Sequence, residues 1–237
     1  MKKDLQESKL FTPYQMGPVT LRNRVIRSAA FESMGKDFAP TQDLKDYHVS
    51  VARGGVGMTT LAYASVNRSG VSFNSQLWLR DEIVPQLKDI TDAVHAEGAA
   101  VGIQIGHCGN MTHWSTAGSF PVSASNGFNL YSPTFHRRMS HAEIAQTAKD
   151  FGKAVYTAHE AGFDSVEVHA GHGYLISQFL SPWTNRRRDE FGGSLENRMR
   201  FMKMCLTEVM EAAAKTNTAV LVKHNMEDGF KSGIQIP

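Results

Sequence analysis

Residues 140–174 read SHAEIAQTAKDFGKAVYTAHEAGFDSVEVHAGHGY, a helix-to-strand unit followed by polar residues. Ser140 and Glu143 have the spacing of a capping box, and apolar residues then recur at helical spacing as far as Gly162. The short run Ser165–His169 that follows predicts a strand covered on both faces. Short apolar runs alternate with longer helical segments along the whole chain, which is typical of βα units around a parallel sheet.

Five strands and four helices are predicted from this alternation. The strands are Arg24–Ser28, Gly57–Ala62, Ala100–Ile105, Ser165–His169 and Ala219–His224, and the helices begin near Asp43, Pro85, Ser140 and Ser194. Without the glycine-rich fingerprint of a doubly wound sheet, this pattern favours an α/β fold of the (β/α)8 TIM-barrel type. Only the thirteen residues 225–237 follow the fifth strand. We therefore expect about five βα units, a truncated barrel that forms a single, C-terminally incomplete domain over residues 1–237.

The segment His107–Met139 directly follows the third predicted strand and is rich in glycine, serine, asparagine and proline. Loops of this length are usually functional or disordered. Because this one begins at the end of a strand, we interpret it as an extended active-site loop.

Composition narrows the classes of partner. The 25 basic and 23 acidic side chains give a net charge of only +2, which does not favour nucleic acid or an anionic membrane as the main partner. Two cysteines exclude a disulfide framework. Residues 1–7 carry no secretory signal pattern, and no apolar run reaches the ~18 residues of a membrane span. We expect a cytoplasmic protein that acts on a small molecule, and the composition leaves homo-oligomerisation open.

Polar side chains at the ends of the predicted strands are the candidate chemistry, because barrel active sites lie there. The densest cluster is His169, His172 and Tyr174. The two imidazoles could hold and polarise a carbonyl oxygen, and a tyrosine, with a reference pKa of about 10, could act as a general acid. Alternatively, the histidines bond backbone carbonyls and Tyr174 only packs. A third interpretation adds His107 to give a three-histidine zinc site.

Gln104 and Lys223 are polar residues inside otherwise apolar strands. Their burial is costly without a polar partner. That partner is either a bound ligand or another side chain in the barrel interior.

The segment His169–Pro182, together with Asn185 and Asp189–Arg198, resembles the signature of the old yellow enzyme family. These proteins are FMN-dependent NADH:flavin oxidoreductases and ene-reductases. Shorter matches occur in family order along the chain, at Leu10–Pro13, Leu21–Arg24, Gly102–Ile105 and Gly162–Asp164. The resemblance therefore covers nearly all of the sequence.

The resemblance implies a barrel that holds FMN at its rim and passes hydride from NADH or NADPH to the activated C=C bond of an α,β-unsaturated carbonyl compound. His169 and His172 match the pair that binds the activating oxygen of the substrate, and Tyr174 matches the proton donor. The positions that match flavin-contacting residues are Ser28, Ala29, Tyr63, Gln104 and Lys223. The family pattern implies no metal.

Three positions depart from the family pattern: Phe31, Asn110 and Tyr63, the last being bulkier than the usual alanine. The family's phosphate-binding loops come from the last barrel units, and nothing after Lys223 resembles such a loop. We therefore expect residues 1–237 alone to bind FMN weakly or not at all, and to aggregate or self-associate. An inactive or interaction-only remnant is the second hypothesis, and a metal-dependent barrel hydrolase is the third.

Overall fold

The computed structural model describes residues 8–235. The prediction that residues 1–7 carry no secretory signal concerns a segment outside this range. None of the helices within residues 8–235 is both long enough and apolar enough to cross a membrane.

The fold alternates strands and helices from Ile26 to His224. The strands are β1 (Tyr14–Met16), β2 (Val19–Leu21), β3 (Ile26–Arg27), β4 (Met58–Ser65), β5 (Leu77–Trp78), β6 (Ala100–Gly106), β7 (Val122–Ser123), β8 (Gly127–Asn129), β9 (Thr134–Arg138), β10 (Ser165–Ala170) and β11 (Ala219–His224). The helices are α1 (Gln42–Arg53), α2 (Val84–Ala96), α3 (Trp114–Ala117), α4 (His141–Glu160), α5 (Leu175–Leu180) and α6 (Leu195–Thr216).

The main sheet is parallel, in the order β11-β10-β6-β4-β3, and β5 pairs with the end of β4. All five predicted strands are present, so the expected α/β fold with a parallel sheet is confirmed. Two strands differ from the prediction by more than one residue at an end: the first is only Ile26–Arg27, and the second continues to Ser65. The second strand is longer than predicted because Ala64 and Ser65 pair with both β5 and β6, and all eight of its residues are buried.

Helices cover the outer face of the sheet because each places one apolar side on it. The predicted capping box of α4 is confirmed: Ser140 accepts from the backbone N–H of Glu143, and the Glu143 carboxylate accepts from that of Ser140. Such a cap contributes about 0.5–2 kcal/mol. Phe151 of α4 and Phe201 of α6 are fully buried in the same core as Val166 and Val168 of β10.

The sheet is curved strongly enough to bring its two edge strands together. The Nζ of Lys223, on β11, donates to the backbone oxygen of Ala29, just after β3, at 2.8 Å. At the opposite end of the sheet, where β4 and β6 begin, Arg22 donates to the backbone oxygens of Ala52, Val56 and Glu97 at 2.6–2.9 Å. This arginine closes the loops that follow α1 and α2.

The β1–β2 hairpin is absent from the sequence prediction. Its turn at Gly17 lies beside Ala219, at the start of β11. Gly17 has a φ of +57°, a conformation that glycine adopts at little cost and other residues adopt rarely.

The segment His107–Met139 is not an irregular loop throughout, as the sequence suggested. It contains α3 and a three-stranded sheet in the order β7-β9-β8. The Asn110 Nδ2 lies 3.2 Å from the Nε2 of His136, and Gln178 of α5 donates to the Asn110 Oδ1 at 2.9 Å. These contacts attach the small sheet to the end of the barrel, but the tip is exposed, with Leu130 at 82% and Tyr131 at 90%.

Candidate active site

The register of β10 places the polar side chains of three strands on one face of the sheet. Glu167 pairs with Gln104 on one side, and His169 pairs with Lys223 on the other. Successive residues of a strand point to opposite faces, so Glu167 and His169 share the inner face while Val166 and Val168 face the helices. The Gln104 Nε2 donates to the Glu167 Oε1 at 2.7 Å, which satisfies part of a buried amide.

A tight turn carries the chain from β10 back over the rim. His172 has a φ of +55° between two glycines, a left-handed conformation that is uncommon for a residue with a Cβ atom. Its backbone N–H donates to the Asn225 Oδ1 at 3.1 Å, so the residue after β11 stabilises the turn. A Cβ atom at Gly171 would lie 2.8 Å from the same Oδ1. The turn therefore needs glycine there to approach Asn225.

The turn brings His169, His172 and Tyr174 together at the rim. The Nδ1 of His172 lies 3.2 Å from the Nε2 of His169, and the Tyr174 ring centroid is 5.0 Å from that of His169. His169 is 3% exposed, His172 is exposed and Tyr174 is partly buried. Within residues 8–235 neither imidazole bonds a backbone carbonyl, so the alternative based on such bonds is wrong.

His169 is neutral at physiological pH. Burial, with the nearby His172 and the charge of Lys223, lowers the pKa of His169 to about 3. Its Nδ1 is buried and has no hydrogen-bond partner within residues 8–235. A buried polar atom left in this state is costly.

Tyr63 has its side chain inside the protein. It is 3% exposed, and its hydroxyl donates to the backbone oxygen of Gly70 at 2.9 Å. Burial raises the pKa of Tyr63 well above its ordinary value. The structure therefore places this predicted flavin-contacting residue under the rim, with its ring 5.3 Å from that of Tyr174.

Three of the other predicted flavin-contacting residues, Ser28, Ala29 and Lys223, converge at the barrel end, while Gln104 lies deeper, beside Glu167. The Lys223 Nζ lies 3.4 Å from the Ser28 Oγ as well as 2.8 Å from the Ala29 oxygen, so the first and last strands of the sheet meet there. Hydroxyl, ammonium and amide donors from Ser28, Lys223 and Gln104 are suited to the carbonyl oxygens and ring nitrogens of a flavin. The chemistry of this donor set fits a bound FMN.

The three-histidine zinc site is not formed by residues 8–235. Gly109 donates its backbone N–H to the His107 Nδ1 at 3.0 Å, and the His107 Nε2 lies 3.2 Å from the Ser69 Oγ. Both nitrogens are therefore occupied away from His169 and His172, and burial lowers the pKa of His107 to about 4. Within residues 8–235, three side chains that could ligate a metal come close to one another at the surface: His141, Asp189 and Glu190.

Sequence reasoning missed Ser72, whose hydroxyl contacts Tyr174 at 3.3 Å. It also missed Gly106, where a Cβ atom would lie 3.1–3.2 Å from His169 and the Tyr63 ring. Gly106 ends an apolar strand, and that position is a signal for a close approach of side chains. Ser72 has no comparable signal, because its partner is 102 residues away.

The neutral buried histidines predict a loss of stability in acid. The folded-state pKa values of His107 and His169, about 4 and about 3, lie below the value of about 6.5 expected for the unfolded chain. Their contribution is therefore complete above pH ~6.5 and is lost as pH falls, by up to ~1.4 kcal/mol per pH unit for each histidine. Urea unfolding from pH 7 to 5 should show a weaker pH dependence for His107→Gln and His169→Gln than for the unmodified chain. The exposed His159→Gln is the matched control, and equal slopes for all four proteins would contradict this prediction.

Comparison with known proteins is consistent with this site. Residues 9–236 match the model of the NADH:flavin oxidoreductase / NADH oxidase family. A 4,4'-dithiodibutanoate disulfide reductase of Rhodococcus erythropolis is 37% identical over 95% of the chain, and an NADPH dehydrogenase of Listeria welshimeri is 35% identical over 97%. The chain spans 56% of the first relative and 67% of the second.

Solved structures agree on the fold. An old yellow enzyme homologue from Zymomonas mobilis has a TM-score of 0.87 at 27% identity, and morphinone reductase in complex with tetrahydroNAD has 0.85 at 29%. The two matches include 96% and 92% of this chain, and they include 66% and 64% of the matched proteins. The five parallel strands thus correspond to part of a (β/α)8 barrel, which confirms the predicted fold class. The chain belongs to the NADH:flavin oxidoreductase / NADH oxidase family, the family of the old yellow enzymes, whose cofactor is FMN and whose hydride donor is NADH or NADPH.

Proposed function

We propose that this protein passes hydride from NADH or NADPH to the activated C=C bond of an α,β-unsaturated carbonyl compound. The observation that carries this proposal is the arrangement of His169, His172 and Tyr174 at one point of the rim, with two imidazole rings in contact and a phenol beside them. FMN, when bound, would accept the hydride from the nicotinamide and supply it to the alkene.

The cofactor-binding part of the proposal rests on the barrel end. Ser28, Ala29, Gln104 and Lys223 would hold the polar edge of the flavin ring, and the buried Tyr63 would support the floor beside it. Lys223 would place a fixed positive charge where a reduced flavin carries negative charge, which favours the reduced form.

His169 and His172 would bind the carbonyl oxygen of the substrate. Hydride addition at the β-carbon places negative charge on this oxygen, and donors already in position stabilise that charge without reorganising. Because His169 is neutral, it can donate one N–H to the oxygen. It adds no second positive charge beside Lys223.

Tyr174 would supply the proton that the α-carbon needs. Burial raises the pKa of Tyr174, so the phenol is fully protonated at neutral pH. Its ring lies beside that of His169, with 5.0 Å between the ring centroids, which supports this role.

A cavity of about 570 Å³ lies next to the turn that carries the histidine pair, with Gly173 and Asn225 in its lining. Aromatic side chains contribute to its walls from two sides: Phe128 and Tyr131 from the small sheet, and Trp183 and Phe230 from the barrel end. Pockets of this kind bind apolar ligand bodies with a few polar groups fixing the orientation. We propose a substrate whose carbonyl end meets the histidines and whose apolar body occupies this cavity.

Flavin binding tests the first part of the proposal. We expect FMN titration, followed by flavin fluorescence, to show weak saturable binding to the unmodified chain. Lys223→Met should weaken this binding by about three- to tenfold, since it removes one charge-assisted contact. The exposed Lys215→Met in the last turn of α6 is the matched control. Absence of any saturable binding would instead support the non-catalytic remnant.

The proton donor is tested by Tyr174→Phe in the presence of saturating FMN. The rate of alkene reduction should fall by about 10²–10⁴-fold, the usual contribution of a general acid. Reduction of the flavin by NADH or NADPH needs no proton on carbon and should be nearly unchanged. Stopped-flow absorbance at 450 nm measures both half-reactions, and an unaltered rate of alkene reduction would remove Tyr174 from the mechanism.

The oxygen-binding pair is tested by replacing His169 and His172 together with alanine. A phenol stacked on oxidised flavin should give a long-wavelength absorbance band in the unmodified protein, and this band should be lost in the double variant. Exposed His159→Ala should keep the band. Undiminished absorbance with unchanged affinity in the double variant would show that the pair does not hold the ligand oxygen.

A further inference from the structure

A chain of three hydroxyl groups leads from the barrel interior to the rim. The Tyr63 hydroxyl lies 3.1 Å from the Ser72 Oγ, and the Ser72 Oγ donates to the Tyr174 hydroxyl oxygen at 3.3 Å. Ser72 is 7% exposed and Tyr63 is 3% exposed, so the chain is shielded from water except at Tyr174. Neither the family signature nor the proposed cofactor contacts include Ser72.

The geometry makes Ser72 the donor in its hydrogen bond with Tyr174, and the Tyr63 hydroxyl proton is already used in the bond to the Gly70 oxygen. Each hydroxyl has one proton, and the Ser72 proton is used in the bond to the Tyr174 oxygen. Tyr174 therefore accepts on its inner side, and its own proton remains free to point towards the rim. In the reverse arrangement the Tyr174 proton would point into the protein, away from a substrate.

The segment that carries Ser72 is held from several sides. The Ser72 backbone N–H donates to the Gln76 Oε1 at 2.7 Å, and Cys108 donates its backbone N–H to the Gly70 oxygen at 3.0 Å and its thiol to the Val71 oxygen at 3.4 Å. A Cβ atom at Gly70 would lie only 2.8 Å from the His107 ring. Ser72 therefore lies on a fixed segment and not on a loose loop.

We propose that Ser72 is a positioning residue for Tyr174: its hydroxyl directs the phenol proton to the rim and stabilises the phenolate left after protonation. The inference rests on the proposed function of Tyr174 as general acid. In the protonation step the Tyr174 O–H bond breaks, the enolate electron pair forms the new α-carbon–hydrogen bond, and the negative charge remains on the Tyr174 oxygen. Solvent returns the proton to Tyr174 between turnovers.

Hydrogen bonds to an ionised oxygen are shorter and about twice as strong as those to a neutral one. The 3.3 Å separation is longer than the ~2.7–2.8 Å of a typical O–H···O bond, and it should shorten as charge develops on Tyr174. The contact therefore contributes more after proton transfer than before it. Two effects oppose each other at this phenol: burial raises the pKa of Tyr174, and the Ser72 hydrogen bond lowers it.

The first experiment measures this contact without flavin. The full chain is labelled with 3-fluorotyrosine, whose ring fluorine makes the phenol more acidic, and the Tyr174 signal is assigned in the ¹⁹F NMR spectrum by Tyr174→Phe. Ser72→Ala should raise the titration midpoint of this signal by about 0.5–1 pH unit, because it removes a bond that favours the phenolate. Ser72→Cys keeps the side-chain size but donates weakly, and it should also raise the midpoint.

Ser69→Ala is the matched control for this titration. The Ser69 hydroxyl bonds the Asn67 Oδ1 at 2.8 Å, so its removal should leave the Tyr174 midpoint unchanged. If Ser72→Ala and Ser72→Cys both leave the midpoint unchanged in folded protein, the proposal is overturned. This result is obtained whether or not the chain binds FMN, so it is separable from a failure of the proposed function.

The second experiment is a double-mutant cycle on alkene reduction at saturating FMN. Ser72→Ala alone should slow alkene reduction by about two- to tenfold, with flavin reduction by NADH or NADPH unchanged. In the Tyr174→Phe background it should cause no further loss, because Ser72 acts only through the phenol. Equal losses in both backgrounds would show that Ser72 only maintains the local fold and would overturn the proposal.

Discussion

The pairing register of β10 with β6 and β11 is the constraint on which the site depends. It sets Glu167 beside Gln104 and His169 beside Lys223 on the inner face of the sheet. A slip of one residue would exchange the two faces, placing His169 and Glu167 against the helices and exposing the valines of β10 to the barrel interior. The first change buries polar groups without partners and the second removes apolar side chains from the core. The apolar core that selects the register therefore also selects which side chains reach the rim.

Much of this fold is predictable because its signals are local. Strand identity follows from short apolar runs, and the start of α4 follows from Ser140 and Glu143 alone. The small sheet β7-β9-β8 is different, since its strands are two to five residues long and depend on pairing with one another and on contacts of Asn110 with α5. A segment rich in glycine and serine does not indicate in its sequence which of its residues will make such contacts.

The site is predictable to the same extent. His169, His172 and Tyr174 lie within six residues of one another, and the turn that unites them is visible as two glycines in the sequence. The inward direction of the Tyr63 side chain and the contact of Ser72 with Tyr174 depend on packing between distant segments. Residue identity indicates that a hydroxyl is present, but only the fold determines what it touches.

The contact between Lys223 and Ala29 joins residues 194 positions apart in the chain. A ribosome adding ~5–20 residues per second takes roughly 10–40 s to synthesise that interval. Throughout this time the end of β3 has emerged without the ammonium group that will bind it, while the pairs within β4, β6 and their helices can already form. Lys223 is therefore synthesised after His169, His172 and Tyr174, and a nascent chain acquires the two histidines proposed to bind the substrate oxygen before the positive charge of the site.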